Sequence, residues 1–237
     1  MSDPDEPLGI AHPEESGAMR IAIRTAAILL AFTLAFTAFM SSAWYLTASR
    51  VAASAQAEKL RLIGEVLAPT LYDNALLAGA ITLPPQTALG LGEDTRLFRA
   101  RKNGAPVALV LEATAPDGYS GQIGLLLAVA ADGRLLAVRV TRHKETPGLG
   151  DYIDPKKDRN KARPWITQFS NLGFAQIPAD QWRVKKDGGH FDQRAGATIS
   201  ARAVTNATRQ ALEWTVARRD KLFALPDNAR FADSSEE

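Results

Sequence analysis

The sequence predicts an α+β fold: one membrane-crossing helix, then a domain whose antiparallel sheet is flanked by helices. Three observations carry this. Residues 25–46 read TAAILLAFTLAFTAFMSSAWYL, and no charge falls between Arg24 and Arg50. Roughly twenty apolar residues suffice to cross a bilayer as a helix. Four short runs, Thr95–Arg101, Pro106–Ala113, Gln122–Ala130 and Leu135–Thr141, are apolar or alternating, and Asn103-Gly104, Asp117-Gly118 and Asp132-Gly133 separate them. Such dipeptides mark tight turns, so the runs form an antiparallel meander. Helical patterns stand before and after the meander instead of between its strands, which argues against a doubly wound parallel sheet.

The chain has 237 residues and a formal net charge of +2, from 28 basic and 26 acidic side chains. Its basic residues are scattered, which argues against a nucleic-acid binder. Cysteine is absent. Disulfides, thiolate-held iron–sulfur clusters and c-type haem attachment are therefore excluded within this chain. Redox chemistry here needs an organic cofactor or a metal held without thiolate. Neither a glycine-rich dinucleotide fingerprint after a strand nor a Walker loop is present, so dinucleotide and triphosphate readings lack support.

Taken in order, residues 1–18 are acidic and carry prolines, and a disordered tail is expected there. Residues 19–48 form the expected anchor, with Trp44 and Tyr45 suited to a membrane interface. A cleaved signal peptide competes, with Ala55-Gln56-Ala57 as its processing site, but the apolar run is long and no small-residue site follows it directly. Arg20 and Arg24 before the span nearly balance Arg50, Lys59 and Arg61 after it. The usual insertion of a first helix then favours the N-terminus inside. Leu60, Ile63 and Leu67 repeat at helical spacing over Val51–Leu67, and Pro69 ends that helix.

The soluble domain is expected over 49–225. Within it, Asp154–Arg163 reads as a charged, solvated loop whose functional reading is a docking face for neighbouring subunits. Trp165, Phe169, Phe174 and Trp182 read as core. His143 and His190 lack the companions of a metal or haem ligand set. A last helix runs from about Ser200 to Phe223, with Val204, Ala207, Ala211, Trp214 and Thr215 as its apolar stripe. Pro226 stops it, and residues 226–237 are expected to form a disordered tail.

The stretch that points to chemistry is Asp187–Val204, DGGHFDQRAGATISARAV. In Ala195-Gly196-Ala197-Thr198, two small residues and a glycine let a bulky group approach the backbone before a hydroxyl is presented. Asp192 lies six positions before Thr198, and Arg194 and Arg202 flank it. The helix beginning near Ser200 places Thr198 at a helix N-terminus, where free N–H groups favour an anion such as a phosphate. An ordinary capping turn has the same spacing. A second motif, His143-Lys144-Glu145-Thr146-Pro147-Gly148-Leu149-Gly150, is a stiff loop whose glycines admit something flat. Gly118-Tyr119-Ser120-Gly121 forms a turn before a strand.

D-x-x-A-G-A-T resembles the flavinylation signature D-x-x-S/T-G-A-T of the FMN-binding domain family. That family includes the G subunits of Rnf electron transport complexes and the C subunits of sodium-pumping quinone reductases. The ordered series G-Y-S-G, H-K-E-T-P-G-L-G and K-D-G-G-x-F-D-Q-x-x-G-A-T is similar to that of Rnf G subunits, as is Tyr72-Asp73-Asn74-Ala75-Leu76-Leu77. The resemblance covers nearly the whole chain and departs from the family at Ala195, where Ser or Thr is usual. It implies that Thr198 carries FMN through a phosphoester made by a separate flavin transferase, which recognises a motif containing Asp192. Tyr119, Glu145, Thr146, Gly148 and Leu149, with Gly196 and Ala197, would border the cofactor. Ser200 is the rival acceptor.

The resemblance further implies a component of an Rnf complex in a bacterial inner membrane, its soluble domain in the periplasm, associated with the other Rnf membrane subunits. Such a component relays electrons between ferredoxin and NAD in a translocase-type oxidoreductase and performs no independent catalysis. The alternatives are the C component of a quinone reductase, and a membrane-tethered binding or sensory domain without flavin.

Overall fold

The computed structural model describes residues 15–232; most of the expected N-terminal tail, and residues 233–237, lie outside that range. The chain divides into a helical unit up to Gln56 and a globular unit from Ala57 onward. Helix α1 runs Glu15–Gly64, so the apolar span and the helical pattern after it belong to one helix, which begins before the expected end of the tail. Its stretch Met19–Ala48 is long and apolar enough to cross a membrane. Leu29, Phe32 and Phe36 are exposed along it. The hydroxyls of Thr33, Ser42 and Thr47 each donate to the carbonyl four residues earlier, at 2.8 Å. Hydroxyls bonded in this way leave no unpaired donor in an apolar medium. Helix α1 ends at Gly64, ahead of Pro69, which opens a short 3-10 turn over Pro69–Leu71.

In the globular unit, β1 (Ile81–Leu83), β2 (Thr95–Lys102), β3 (Ala105–Ala115), β4 (Ile123–Ala130) and β5 (Leu135–Arg142) form an antiparallel meander in sequence order. The α+β layout is the one the sequence predicts. At the β2–β3 turn, Asn103 and Gly104 take φ of 51° and 79°. Both lie in the left-handed region that a two-residue hairpin requires. Strand β1 was not foreseen.

Strand alternation divides the apolar residues between two faces. One face carries Leu97, Leu109, Leu111, Leu127 and Val138, and packs against helix α2 (Thr198–Ala224) through Val204, Ala211 and Trp214. The other carries Phe98, Ala100, Val110, Leu126 and Ala128 and is covered by Ile63, Val66, Leu67 and Leu76. Strand β4 is buried on both sides, which explains its unbroken apolar sequence.

Residues 226–232 correct the expectation of a disordered tail from 226. Thr82 and its neighbours pair with them: Thr82 N–H donates to the Ala229 carbonyl and Phe231 N–H to the Thr82 carbonyl, both at 2.8 Å. Phe231 is buried edge-on to Trp214. Arg99, itself buried, donates to the Gly79 and Leu225 carbonyls and pairs with Asp227. The segment stays because it supplies apolar surface and acceptors that β1 and Arg99 would otherwise lack.

Candidate functional site

The three motifs, up to 80 residues apart in sequence, meet at one pocket of about 260 Å³ lined by Tyr119, Glu145, Thr146, Leu149, Gly150, Gly196, Ala197, Ile199 and Ser200. Glu145 is the junction. Its carboxylate is buried, accepts the Ser120 N–H at 3.0 Å and accepts the Ser200 hydroxyl. Its own N–H donates to His143 Nδ1 at 3.2 Å. One side chain thus joins the turn before β4, the loop after β5 and the start of α2. Gly150 is glycine for a steric reason: a Cβ there would sit 2.6 Å from Ser200 Oγ and 2.7 Å from Glu145 Oε2. The loop itself is closed by Leu149 and Gly150 N–H groups, both donating to the Thr146 carbonyl at 3.1 Å.

Of the residues expected at the cofactor, Tyr119, Glu145, Thr146, Leu149, Gly196 and Ala197 line this pocket. Gly148 does not; it turns the loop at φ 77° and donates its N–H to Asp151 Oδ1 at 2.9 Å. Thr198 stands between the lining residues Ala197 and Ile199 as the first residue of α2. It is half-buried, and its hydroxyl makes no hydrogen bond to a described residue. That sets it apart from the buried hydroxyls of Thr205 and Thr215, which donate back along the helix at 2.8 and 2.7 Å. Ser200 is fully buried and engaged with Glu145.

Asp192 lies elsewhere, exposed and paired with Lys185 at 2.6 Å, on a separate cleft that it shares with Arg194, Trp165 and Gln168. Its main chain is clamped: Trp165 Nε1 donates to its carbonyl at 2.6 Å, and its N–H donates to Gln168 Oε1 at 2.8 Å. Arg202 is held by Asp187 and Arg194 by Asp158. The Arg202 guanidinium holds the Asp187 carboxyl below its usual value.

Two residues that sequence reasoning passed over position the turn before Thr198. Tyr152, buried, accepts the Arg194 N–H at 3.1 Å and donates to the Ala197 carbonyl at 3.3 Å, gripping both ends of the turn. The Arg194 guanidinium lies 4.5 Å over its ring. Burial pushes the Tyr152 phenol up, so it remains a neutral donor. Asp158, expected on a solvated loop, is fully buried. Burial alone would raise its carboxyl, but N–H bonds from Trp165 and Asn160 and the Arg194 guanidinium outweigh that and hold it low. In sequence, the only hints are that Tyr152 is the sole aromatic just after the glycine loop and Asp158 the sole acid among five bases.

The pocket suits a flat apolar ring bearing a phosphate. Tyr119, Leu149 and Ile199 are large apolar side chains left exposed around it. The N-terminus of α2 has no side-chain cap and no acidic residue in its first turn, so its N–H groups are available to an anion. Gly196, at φ 81°, has open space where a Cβ would stand.

Residues 118–213 match the FMN-binding domain family, and residues 18–66 match the RnfG N-terminal region. The chain is 41% identical over 216 residues to the G subunit of the ion-translocating oxidoreductase complex of Pseudomonas aeruginosa UCBPP-PA14, covering 91% of this chain and 98% of that one. It is 45% identical over 186 residues to the corresponding protein of Photorhabdus laumondii, covering 78% and 85%. Against that of Shewanella loihica the figures are 36% over 209 residues, 88% and 96%. Similarity at this level along the N-terminal helix and the pocket alike establishes that the chain belongs to the family of G subunits of ion-translocating oxidoreductase complexes, and that it carries an FMN-binding domain.

Proposed function

We propose that this chain is a membrane-anchored electron carrier within an ion-translocating oxidoreductase complex, and that it bears FMN joined to Thr198 by a phosphoester. The observation that carries the reading is the convergence of three distant motifs on one apolar-rimmed pocket beside a hydroxyl left free at a helix N-terminus. A flavin transferase docks on the segment that includes Asp192 and forms the Thr198 Oγ1–phosphorus bond as the phosphoanhydride bond of a flavin dinucleotide breaks; the nucleoside monophosphate leaves and the hydroxyl proton passes to a base of the transferase. The helix sits in the inner membrane with its N-terminus inside, and the domain lies in the periplasm among the complex's other membrane subunits.

Bound FMN supplies electron transfer one electron at a time, here between ferredoxin and NAD and coupled to ion movement. This chain's own residues position and retain the group. The α2 N-terminus would receive the phosphate, while Tyr119, Thr146, Leu149 and Ile199 would hold the ring. Glu145 locks the three segments together, and Tyr152 and Asp158 keep the acceptor turn in place. The ester holds the group at fixed effective concentration whatever its affinity, which suits a compartment from which free FMN would be lost.

The test is expression with and without a flavin transferase, followed by a denaturing gel viewed for flavin fluorescence and by intact-mass measurement. Co-expression is expected to yield a fluorescent band and the added mass of FMN, and Thr198→Ala to abolish both. A wild-type chain that stays colourless and unmodified beside an active transferase overturns the proposal.

A further inference from the structure

We infer that the basic loop Pro155–Arg163 is a docking surface for an acidic face of a partner protein that exchanges electrons at the neighbouring pocket; this rests on the functional reading above. Nine residues, PKKDRNKAR, hold five bases and one acid in a chain whose formal total is only +2. The acid, Asp158, is buried and occupied by Arg194. Lys156, Lys157, Arg159, Lys161 and Arg163 are all exposed. Lys156 lies 3.8 Å from Glu65, but Lys157, Arg159, Lys161 and Arg163 form no ion pair among the described residues. Unpaired like charges held side by side repel one another until an anionic surface covers them.

The loop is built, not merely solvated. Asp158 accepts N–H groups from Asn160 at 2.9 Å and Trp165 at 2.7 Å. Asn160 Oδ1 accepts the Arg163 N–H at 3.1 Å, and Lys161 Nζ donates to the Lys156 carbonyl at 2.7 Å. The carboxylate that holds Arg194 thus also fixes the path of this loop, so its cations are presented without the ordering cost a mobile loop would pay on docking. It also stands beside the pocket: Arg159 Nη2 lies 3.9 Å from where a Cβ on Gly148 would be, in the same loop as Thr146 and Leu149.

The occupant is a protein, not a lipid surface. The segment offers no large apolar side chain to insert at a membrane interface. Beside it lies the cleft of about 300 Å³ that Asn160, Arg163, Thr167, Gln168 and Arg194 line together with Asp192, whose carboxylate is neutralised by Lys185. Amide and hydroxyl groups next to fixed cations suit carboxylates and backbone of a folded partner.

The test uses the detergent-solubilised complex containing the full chain. Carbodiimide, which joins lysine amines to carboxylates without a spacer, is expected to link Lys157 or Lys161 to Asp or Glu of another subunit at low ionic strength. The yield is expected to fall several-fold at about 0.5 M salt. Lys157→Gln combined with Arg159→Gln and Arg163→Gln is expected to slow partner-dependent flavin reduction by about tenfold at low salt. Gel fluorescence and melting temperature are expected to stay unchanged. Links confined to this chain, or amine acetylation of the two lysines as fast in the complex as in the isolated chain, would overturn the inference. Protection by anionic vesicles without any protein link would overturn it too. Repeating the cross-linking with Thr198→Ala separates the readings, because docking persists without a tether, whereas loss of fluorescence speaks only to the tether.

Discussion

The buried carboxylate of Glu145 accepts the hydroxyl hydrogen of Ser200, 55 residues further along the chain. With the Ser120 N–H on its other oxygen, this carboxylate has one partner from the turn before β4 and one from α2. Replacing Glu145 by Ala leaves the buried Ser200 hydroxyl and the part-buried Ser120 N–H without an acceptor, so a loss of about 1–3 kcal/mol is expected. Ser200→Ala removes one hydrogen bond, and about 1–2 kcal/mol is expected from it. A double-mutant cycle by urea unfolding, followed by tryptophan fluorescence, is expected to show coupling of about 1 kcal/mol. Strict additivity would mean that the two side chains do not act together.

The same contact separates the two hydroxyls that could be esterified. Ser200 is fully enclosed and engaged, whereas Thr198 is half-buried with its hydroxyl unbonded. Ser200→Ala is therefore expected to retain covalent flavin at wild-type stoichiometry, read by intact mass after co-expression with a flavin transferase. Thr198→Ser is expected to retain it at reduced yield, since the hydroxyl remains but the methyl that limits its rotamers is gone. Loss of label in Ser200→Ala with the fold intact would move the attachment point.

Asp158 sets an acid limit on the turn before Thr198. Its carboxyl is held below the ordinary value by its N–H donors and Arg194. A depressed carboxyl contributes stability that is complete above the unfolded-state pKa, near 4, and is lost as pH falls through the lower folded value. Asp158→Asn is expected to be less stable by about 2–3 kcal/mol at pH 7. It is also expected to lose less on acidification from pH 4 to pH 3 than the wild type. Unfolding midpoints at pH 7, 4 and 3 check this, and an equal or steeper acid loss in the variant counts against it.

The C-terminal segment is a structural part of the sheet. Phe231 is 1% exposed and meets Trp214 at 5.6 Å between ring centroids. Phe231→Ala is expected to cost about 3–4 kcal/mol. Ending the chain after Leu225 is expected to cost more, because Thr82 then loses its bonds to Ala229 and Phe231 and Arg99 loses Asp227 as well. Thermal melts of both forms decide whether the segment packs or merely trails.

The four strands from β2 to β5 were legible because Asn-Gly and Asp-Gly punctuate them and β4 is apolar throughout. Strand β1 was not. Ile81–Leu83 is three residues long, lies directly before two prolines and owes its place to pairing with residues 95–97 and 229–231. Local pattern carries no trace of partners that far away. At the site, Tyr119, Glu145, Thr146, Leu149 and the turn before Thr198 were legible because their motifs are local and similar to a known series. Tyr152 and Asp158 act across 45 and 36 residues, through contacts that only the fold creates. Trp165 read as core and is buried, yet its indole N–H also holds the Asp192 carbonyl.

Helix α2 is 27 residues long, and Thr198, the proposed acceptor, is its first residue. Along most of that length it is sealed against the sheet by Val204, Ala211, Leu212 and Trp214. A group borne on Thr198 would consequently be mounted on a long packed rod and not on a swinging arm. Tunnelling between redox centres weakens steeply with every ångström of separation, so such a mount would keep the transfer rate uniform from one turnover to the next.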